Sequence, residues 1–466
     1  MKITNTAIDG LLIVDLDLHG DNRGWFKENW QREKMVAAGL PDFLPVQNNI
    51  SFNETTGTTR GLHAEPWDKY VSVATGRIFG AWVDLREGPG FGTVVTVEVG
   101  PDRAVFVPRG VANGYQTLAP ETAYTYLVND HWSPEAEYAF VNLADPTLAI
   151  DWPIPLQQVE ISAKDLAHPP LGEVEPIAPR KTLVIGAGGQ LGRALAAQFE
   201  GDTSVEYVDR DTFDLTGEIE DQRPWREYST VINAAAYTAV DAAETERESA
   251  WAINATAVAQ LARVTAQHGV TLVHISSDYV FDGTATAPYS ERAPLSPLGV
   301  YGQSKAAGDL AATTNPRHYI LRTSWVIGDG ANFVRTMASL AERGISPRVV
   351  DDQVGRLTFT SDLARAIAFL LNSGAPAGTY NVTGSGEPAS WAQVAARVFE
   401  LAGRSAGDVT PVSTDEYYRD QSGPISPRPA YSVLDLSKIE SLGFAPTDQW
   451  EGLGTYLTSY LAGSAD

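Results

Sequence analysis

Two short stretches hold residue types that can do acid–base chemistry. R-G-L-H-A-E-P-W-D-K-Y, Arg60 to Tyr70, packs two cations, a histidine and two acids around glycine and aromatic residues. His63 is there either as a base aimed at a ligand or as a structural histidine in a strand. Y-G-Q-S-K places Tyr301 and Lys305 four residues apart, on one face of a helix. A nearby ammonium lowers a phenol's pKa and favours phenolate, and a lysine can also hold a ribose. I-S-S-D-Y-V-F-D-G supplies Ser277 at the end of a strand, where a hydroxyl could bind a substrate oxygen. Taken singly, a Tyr–Lys helical pair is usually surface decoration and such a serine usually a cap. Their order behind a dinucleotide fingerprint favours catalysis.

That fingerprint is G-A-G-G-Q-L-G, with Gly186, Gly189 and Gly192 at three-residue spacing. It follows the apolar strand K-T-L-V-I and opens the helix R-A-L-A-A-Q-F. Gly186 permits the tight turn, Gly189 lets backbone approach a pyrophosphate, and Gly192 lets helix pack on strand. Asp209 ends the next strand, where an acid binds ribose hydroxyls, but Arg210 beside it could meet a 2′-phosphate. NADH and NADPH both remain open.

The elements around these residues fall into two textures. Residues 1–171 carry short β-rich runs such as T-V-V-T-V-E-V and R-I-F-G-A-W-V-D-L-R, bounded by turns such as E-G-P-G. Many short strands with little helix predict a jelly-roll sandwich or barrel. Residues 172–180, G-E-V-E-P-I-A-P-R, read as a linker because the prolines break helix and ladder. Over 181–466 buried strands alternate with helices, which predicts a parallel doubly wound sheet with a C-terminal substrate-binding part.

The chain has 466 residues, 43% hydrophobic and 20% charged, as expected for two or three globular domains. Its formal charge of −24 disfavours nucleic acid and anionic lipid as partners. The absence of cysteine excludes disulfides, thiolate metal sites and a cysteine nucleophile. No apolar run reaches the roughly 20 residues that span a bilayer, and acids interrupt the N-terminus early, so a cytoplasmic location is expected.

V-I-N-A-A-A-Y-T-A-V-D-A-A-E, I-S-S-D-Y-V-F-D-G, R-T-S-W-V-I-G, D-D-Q-V-G-R-L-T and R-P-A-Y-S-V-L-D resemble the dTDP-4-dehydrorhamnose reductases, within the extended short-chain dehydrogenase/reductases of Rossmann fold. The resemblance implies that Gly186, Gly189, Gln190, Leu191, Gly192, Asp209, Ala234 and Ala235 bind NADPH or NADH together with Tyr301 and Lys305. It implies that Tyr301 protonates a C4 oxygen, Lys305 tunes Tyr301, Ser277 orients the carbonyl, and Asp278 and Trp325 lie near the sugar. The family commonly has Thr where Ser277 stands, which keeps the hydroxyl, Tyr where Ile327 stands and Pro where Leu357 stands. Members sometimes hold a metal at a subunit interface. No ligand cluster in this sequence identifies one, and a role for Mg²⁺ stays open.

G-D-N-R-G-W-F-K-E, V-Q-N-N-I-S, T-R-G-L-H-A-E-P, P-R-G-V-A-N-G-Y and I-S-A-K-D resemble the dTDP-4-dehydrorhamnose 3,5-epimerases, which fold as a cupin-like jelly roll and need no cofactor. Here the resemblance implies His63 as base, Asp165 as its partner, Tyr126 as the opposing acid and Lys69 as enolate stabiliser. Tyr124 in the same run is an alternative to Tyr126. Arg23, Glu28, Gln47, Asn49, Arg60 and Lys164 would grip the nucleotide. Asn113 stands where many members carry His. It can bond a sugar oxygen but not act as acid or base, and it argues against a metal cupin, as do 7 histidines spread over both halves. The two resemblances imply a bifunctional enzyme taking a dTDP-sugar through epimerisation and reduction, homodimeric through the epimerase domain. The alternatives are a related enzyme of other stereochemistry, or a binding protein. Reductase-like chains do serve as the regulatory subunit of methionine adenosyltransferase. A binding module has no reason to keep His63 with Asp165 and Tyr301 with Lys305.

Overall fold

The alternation in V-V-T-V-E-V survives as structure: along Val94–Val99, Val95, Val97 and Val99 turn inward while Thr96 and Glu98 face out. Such strands build two antiparallel sheets in the computed structural model, which describes residues 1–133 and 138–463. One sheet orders the strands Lys2–Asn5, Leu12–Asp15, Arg103–Val107, Lys69–Thr75, Thr122–Val128 and Gln47–Asn53. The other orders Ala139–Phe140, Thr59–Ala64, Val111–Thr117, Ile78–Asp84 and Val94–Val99. Val71, Val73 and Tyr124 from the first sheet and Trp82, Tyr115 and Val99 from the second fill the space between them. This is the sandwich that alternating patterning calls for. The second sheet's other face (Leu62, Ala81, Val83 and Ala112) is sealed by the later segment holding Val141, Leu143, Leu148 and Trp152.

The chain divides into two compact units, Met1–Pro179 and Arg180–Asp466. The proline-bearing stretch after Leu171 lies with the first. Its Leu171, Val174 and Ile177 pack on the core just described. Ile177 donates its N–H to Leu85 O at 2.8 Å and accepts from Glu87 N at 2.9 Å. Prolines on either side do not prevent this, because one residue between them carries both bonds.

The second unit is a six-stranded, all-parallel sheet in the order Val205–Val208, Lys181–Ile185, Tyr228–Asn233, Thr271–Ser277, His318–Thr323, Gly378–Asn381. Adjacent residues of one strand serve opposite faces. Leu183 joins Val258 and Leu261 of the helix Ala257–Gln267, whereas Val184 joins Leu191 and Leu195 of Gln190–Gln198. Burial on both faces explains why these strands read as continuous apolar runs. A separate cluster holds the helices Phe333–Glu342, Trp391–Leu401 and Gln449–Gly463 around Ile327 and Leu357, which are 1% and 0% exposed. Two of the three departures from the reductase pattern, Ile327 and Leu357, are therefore core residues.

Gly80 sits in an ordinary extended strand, yet an added Cβ would lie 2.8 Å from Trp82 Cζ3. Gly80→Ala should overpack the sandwich and cost about 1–3 kcal/mol. Hydrogen exchange should then quicken in peptides from residues 1–133 and stay unchanged in the parallel sheet.

Candidate active sites

In the first unit the strand Thr59–Ala64 carries His63 between two neighbours. Asn113 is its cross-strand partner on one side and Phe140 on the other. Gly61 makes that approach possible: its φ is +114°, and a Cβ would stand 2.6 Å from Gly114 Cα. His63 Nε2 is 2.9 Å from Asp165 Oδ1. The other carboxylate oxygen of Asp165 accepts the Gly61 N–H at 3.2 Å. The carboxylate is thus turned inward to His63. The N-cap of its short helix, Ala163–Leu166, is Ser162, which accepts the Asp165 N–H at 3.1 Å. With Nε2 committed to Asp165, Nδ1 is the ring nitrogen left for acid–base work.

Lys69 is buried and donates to Asn113 Oδ1 at 2.6 Å. It is also ion-paired to Glu65 and lies 5.5 Å from the Tyr126 ring centroid. Burial pulls its ammonium below the usual lysine range, and Glu65 opposes that shift. Asn113 Nδ2 donates in turn to the Tyr124 hydroxyl at 3.0 Å. Tyr124 and Tyr126 share one strand face, but Tyr124 is fully buried and stacked on Tyr115 at 4.3 Å. Tyr126 is only partly buried. Burial pushes its phenol up to about 12, so it holds a proton to give at neutral pH. Of the two tyrosines, Tyr126 is the less buried.

Among the nucleotide-gripping candidates, Gln47 donates to Asn49 at 2.8 Å, and Asn49 is the cross-strand partner of Tyr126. Arg60 donates to Asn53 at 3.2 Å, and Lys164 lies 5.1 Å from the Phe140 ring. Arg23 and Glu28 are not drawn in. Both are exposed and bound locally, Arg23 to Asp21 at 2.5 Å and Glu28 to Lys34 at 2.6 Å.

In the second unit the glycine turn follows Lys181–Ile185, the strand from which the chain winds to one side of the sheet and then the other, the usual crevice for a nucleotide. Gly186 has φ +90°, and a Cβ would stand 2.8 Å from Ala235 N. Ala234 donates its N–H to Ile185 O at 2.9 Å, which holds that second turn alongside. A Cβ on Gly188 would meet nothing, and Gly189 caps Gln190–Gln198 with no side chain. Free N–H groups at Gln190, Leu191 and Gly192 thus head a helix beside open space, which fits a pyrophosphate. Asp209 and Arg210 are both exposed, and Asp209 Oδ1 accepts the Asp211 N–H at 3.1 Å.

Tyr301 and Lys305 lie on the helix Val300–Ala312. Lys305 is buried and donates to Ile275 O at 2.5 Å, and burial brings its ammonium down to about 8. Tyr301 departs from the phenolate expected beside an ammonium. Burial first, and the Asp278 carboxylate second, push it up to about 12. Ser277 donates to Asp278 Oδ1 at 2.8 Å and accepts the Tyr279 N–H at 3.2 Å, so it caps the turn and touches the acid together. Burial raises Asp278 to about 6. Trp325, in the left-handed region at φ 47°, is stacked on Trp391 at 3.8 Å, and Gly355 leaves room for its ring.

Four residues escaped the sequence reading. Glu65 and Asp309 stand four residues from Lys69 and Lys305, a spacing that could have found Asp309 on its helix. Asp309 is buried and binds Arg322 Nε at 3.0 Å. Asn254, in a π-helical turn, binds the Tyr237 backbone and donates to Ser304, whose hydroxyl reaches the Tyr301 carbonyl at 2.8 Å. Nothing in the sequence marks that turn. His168, three residues after Asp165, is buried against His63, and both facts push its imidazole below the usual range.

Two family models cover nearly the whole chain. The dTDP-4-dehydrorhamnose 3,5-epimerase model matches residues 5–173, and the RmlD substrate binding domain model matches residues 180–461. A Streptococcus pyogenes protein named RmlC homolog is 51% identical over 180 residues, covering 37% of this chain and 90% of that protein. The dTDP-4-dehydrorhamnose reductase of Aggregatibacter actinomycetemcomitans is 37% identical over 293 residues, covering 58% and 96%. The crystal structure of the Bacillus anthracis dTDP-4-dehydrorhamnose reductase in complex with NADP superposes with a TM-score of 0.54 at 33% identity, over 60% of this chain and 99% of that one. The dyad of His63 and Asp165 and the glycine turn leading to Tyr301 and Lys305 thus sit in matched regions. The chain belongs, through its first unit, to the dTDP-4-dehydrorhamnose 3,5-epimerase family and, through its second, to the RmlD family of dTDP-4-dehydrorhamnose reductases.

Proposed function

We propose that this chain carries out two consecutive steps of dTDP-L-rhamnose synthesis: 3,5-epimerisation of dTDP-4-dehydro-6-deoxy-D-glucose, then reduction at C4. The observation that carries this reading is one chain holding both constellations, His63–Asp165 with Lys69 and Tyr126, and the glycine turn with Ser277, Tyr301 and Lys305. A 4-keto group acidifies the protons on C3 and C5. His63 Nδ1 takes each proton, and Asp165 stabilises the imidazolium. The ammonium of Lys69 and the amide of Asn113 offer hydrogen bonds to the enolate oxygen. Tyr126, protonated at neutral pH, returns a proton. Gln47, Asn49, Arg60 and Lys164 bind the nucleotide diphosphate, with Arg23 and Glu28 more peripheral.

In the second unit Gly186–Gly192, Asp209, Ala234 and Ala235 hold the dinucleotide, with Tyr301 and Lys305 at its ribose. NADPH is the preferred form, on the strength of the NADP-bound relative and of Arg210 beside Asp209. Bound NADPH supplies the hydride for C4. Tyr301 holds the proton for the resulting oxygen, Ser277 orients the carbonyl, and Trp325 bounds the sugar. Linking the two steps raises the local concentration of a labile keto sugar at the second site.

The direct test is NADPH oxidation at 340 nm on the 4-dehydro-6-deoxy substrate. His63→Ala should slow it roughly 10²–10⁴-fold and recover when separate epimerase is added. Tyr301→Phe should stay inactive with or without it. If His63→Ala runs at the wild-type rate, the first unit does not epimerise through this histidine.

Asp278 supplies a second test. Its folded pKa of about 6 lies above its ordinary value of 3.8, so the ionised carboxyl is a burden on the fold. The burden is absent below about pH 4, grows as pH rises to 6, and is full above that. Asp278→Asn, which still accepts the Ser277 hydroxyl, should stabilise the protein by up to about 3 kcal/mol at pH 7 and by almost nothing at pH 4, while reductase activity falls. Denaturant midpoints at the two pH values measure it.

We further propose a homodimer through the first unit. The strand Gln47–Asn53 is a sheet edge, and its Ile50 and Phe52 are 68% and 56% exposed. An apolar, unpaired edge invites a second copy. Ile50→Asp with Phe52→Asp should halve the mass seen by light scattering. Among the described residues no helix is long and apolar enough to cross a membrane.

A further inference from the structure

His168 has no part in the chemistry above, yet it is built into the same place. It is 7% exposed, and its ring is stacked on Phe140 with centroids 4.7 Å apart. Asn142 holds the His168 carbonyl at 3.0 Å and the Leu166 carbonyl at 3.2 Å, so the segment carrying the ring is tied down. Neither ring nitrogen makes a well-formed hydrogen bond, although the Gly61 backbone lies near enough to favour the protonated ring weakly. Leaving such buried polar atoms unmatched costs about 1–3 kcal/mol each, an outlay that asks for a ligand. His168 Nε2 lies 3.7 Å from Asp165 Oδ1, too far for a hydrogen bond. That oxygen is the one His63 Nε2 contacts at 2.9 Å. The ligand atoms of the three residues all fall within 4.8 Å of one another.

We propose that His63, Asp165 and His168 form a binding site for a borderline transition-metal ion such as Zn²⁺, and that the bound ion switches off the epimerase half. Two imidazoles and a carboxylate are a ligand set that suits Zn²⁺ rather than Mg²⁺ or Ca²⁺. At Zn–N and Zn–O distances of about 2 Å, tetrahedral ligands stand roughly 3.3 Å apart. Two of the three separations, 2.9 and 3.7 Å, bracket that value, and the third lies within 4.8 Å, so a small shift of one ring completes the set. Asp165 is already oriented by the Gly61 N–H on its second oxygen, the kind of outer contact that steadies a metal ligand. The His63 side chain is 33% exposed, which leaves a fourth position facing solvent and a way in.

The switching follows from proton bookkeeping on one ring. A neutral imidazole carries a single N–H. When the ion takes the lone pair at His63 Nε2, that hydrogen moves by solvent exchange to Nδ1. The nitrogen that would accept the substrate's proton is then blocked, and Asp165 is withdrawn from its support. This consequence rests on His63 being the epimerase base; the binding site itself does not.

The test uses the full-length protein, first freed of metal with a chelator, and reads binding and activity separately. Co²⁺ added alone should give the visible d–d absorption of a four- or five-coordinate ion at one equivalent per chain, and Zn²⁺ should bleach it. His168→Gln should weaken Co²⁺ binding roughly 10–100-fold. His168→Phe, which preserves stacking on Phe140, should do the same and guards against a folding artefact. Epimerisation is followed as deuterium uptake at C3 and C5 of the keto sugar without NADPH. Micromolar Zn²⁺ should slow the wild type at least about tenfold and the His168→Gln protein less than about twofold. If the wild type takes up no Co²⁺, or both variants bind it as tightly, the site does not exist. If Co²⁺ binds but deuterium uptake is unaffected, the switch is wrong. His63→Ala measured alongside then shows whether the cause is that His63 is not the base.

Discussion

Lys69 and Lys305 are ammonium groups taken almost wholly out of water, at 4% and 2% exposure. Removing a charge from water is costly unless partners replace the hydration, and much of each site is arranged to meet that need. Lys69 has Glu65 and Asn113. Lys305 has the Ile275 carbonyl and, one helical turn on, Asp309, which is itself paired with Arg322. In each case one partner stands four residues away along the chain and the other, Asn113 or the Ile275 carbonyl, comes from a strand 44 or 30 residues off, so the charge is fully seated only when the tertiary structure has closed around it.

The same seating explains the asparagine at position 113. A histidine there would present Lys69 with a ring nitrogen. Asn113 presents a carbonyl oxygen to Lys69 and an amide donor to Tyr124, and so joins two groups across the strands. The position is occupied by a polar bridge without acid–base capacity. The two further departures, Ile327 and Leu357, turn out to be packing residues in the C-terminal cluster, where an apolar side chain is the natural occupant.

Much of the architecture was legible before any coordinates. Period-two alternation marked the sandwich strands, and apolar runs alternating with helices marked the parallel sheet, because side-chain burial imposes those periods directly. The glycine turn was legible because backbone crowding at Gly186 and Gly192 admits no other residue. The segment after Leu171 was not: its prolines read as a break, yet Ile177 between them carries two backbone bonds to the first unit. A proline count registers missing donors but not where the remaining donor points.

By itself the sequence determined which residue types were available, in what order, and on which face of each element they would lie. That was enough to single out His63, Asp165, Tyr301 and Lys305 and the families they resemble. Only the tertiary structure decided the environments. It set Tyr301 as a partly buried phenol, raised by desolvation and by Asp278, rather than a phenolate beside an ammonium. It left Tyr126 less buried than Tyr124, and it pressed His168 against a dyad whose members are 102 residues apart in the chain. The physical reason is range. Periodicity is a property of neighbours along the chain, whereas desolvation and Coulomb energy depend on every group within a few ångströms, most of which arrive from distant segments.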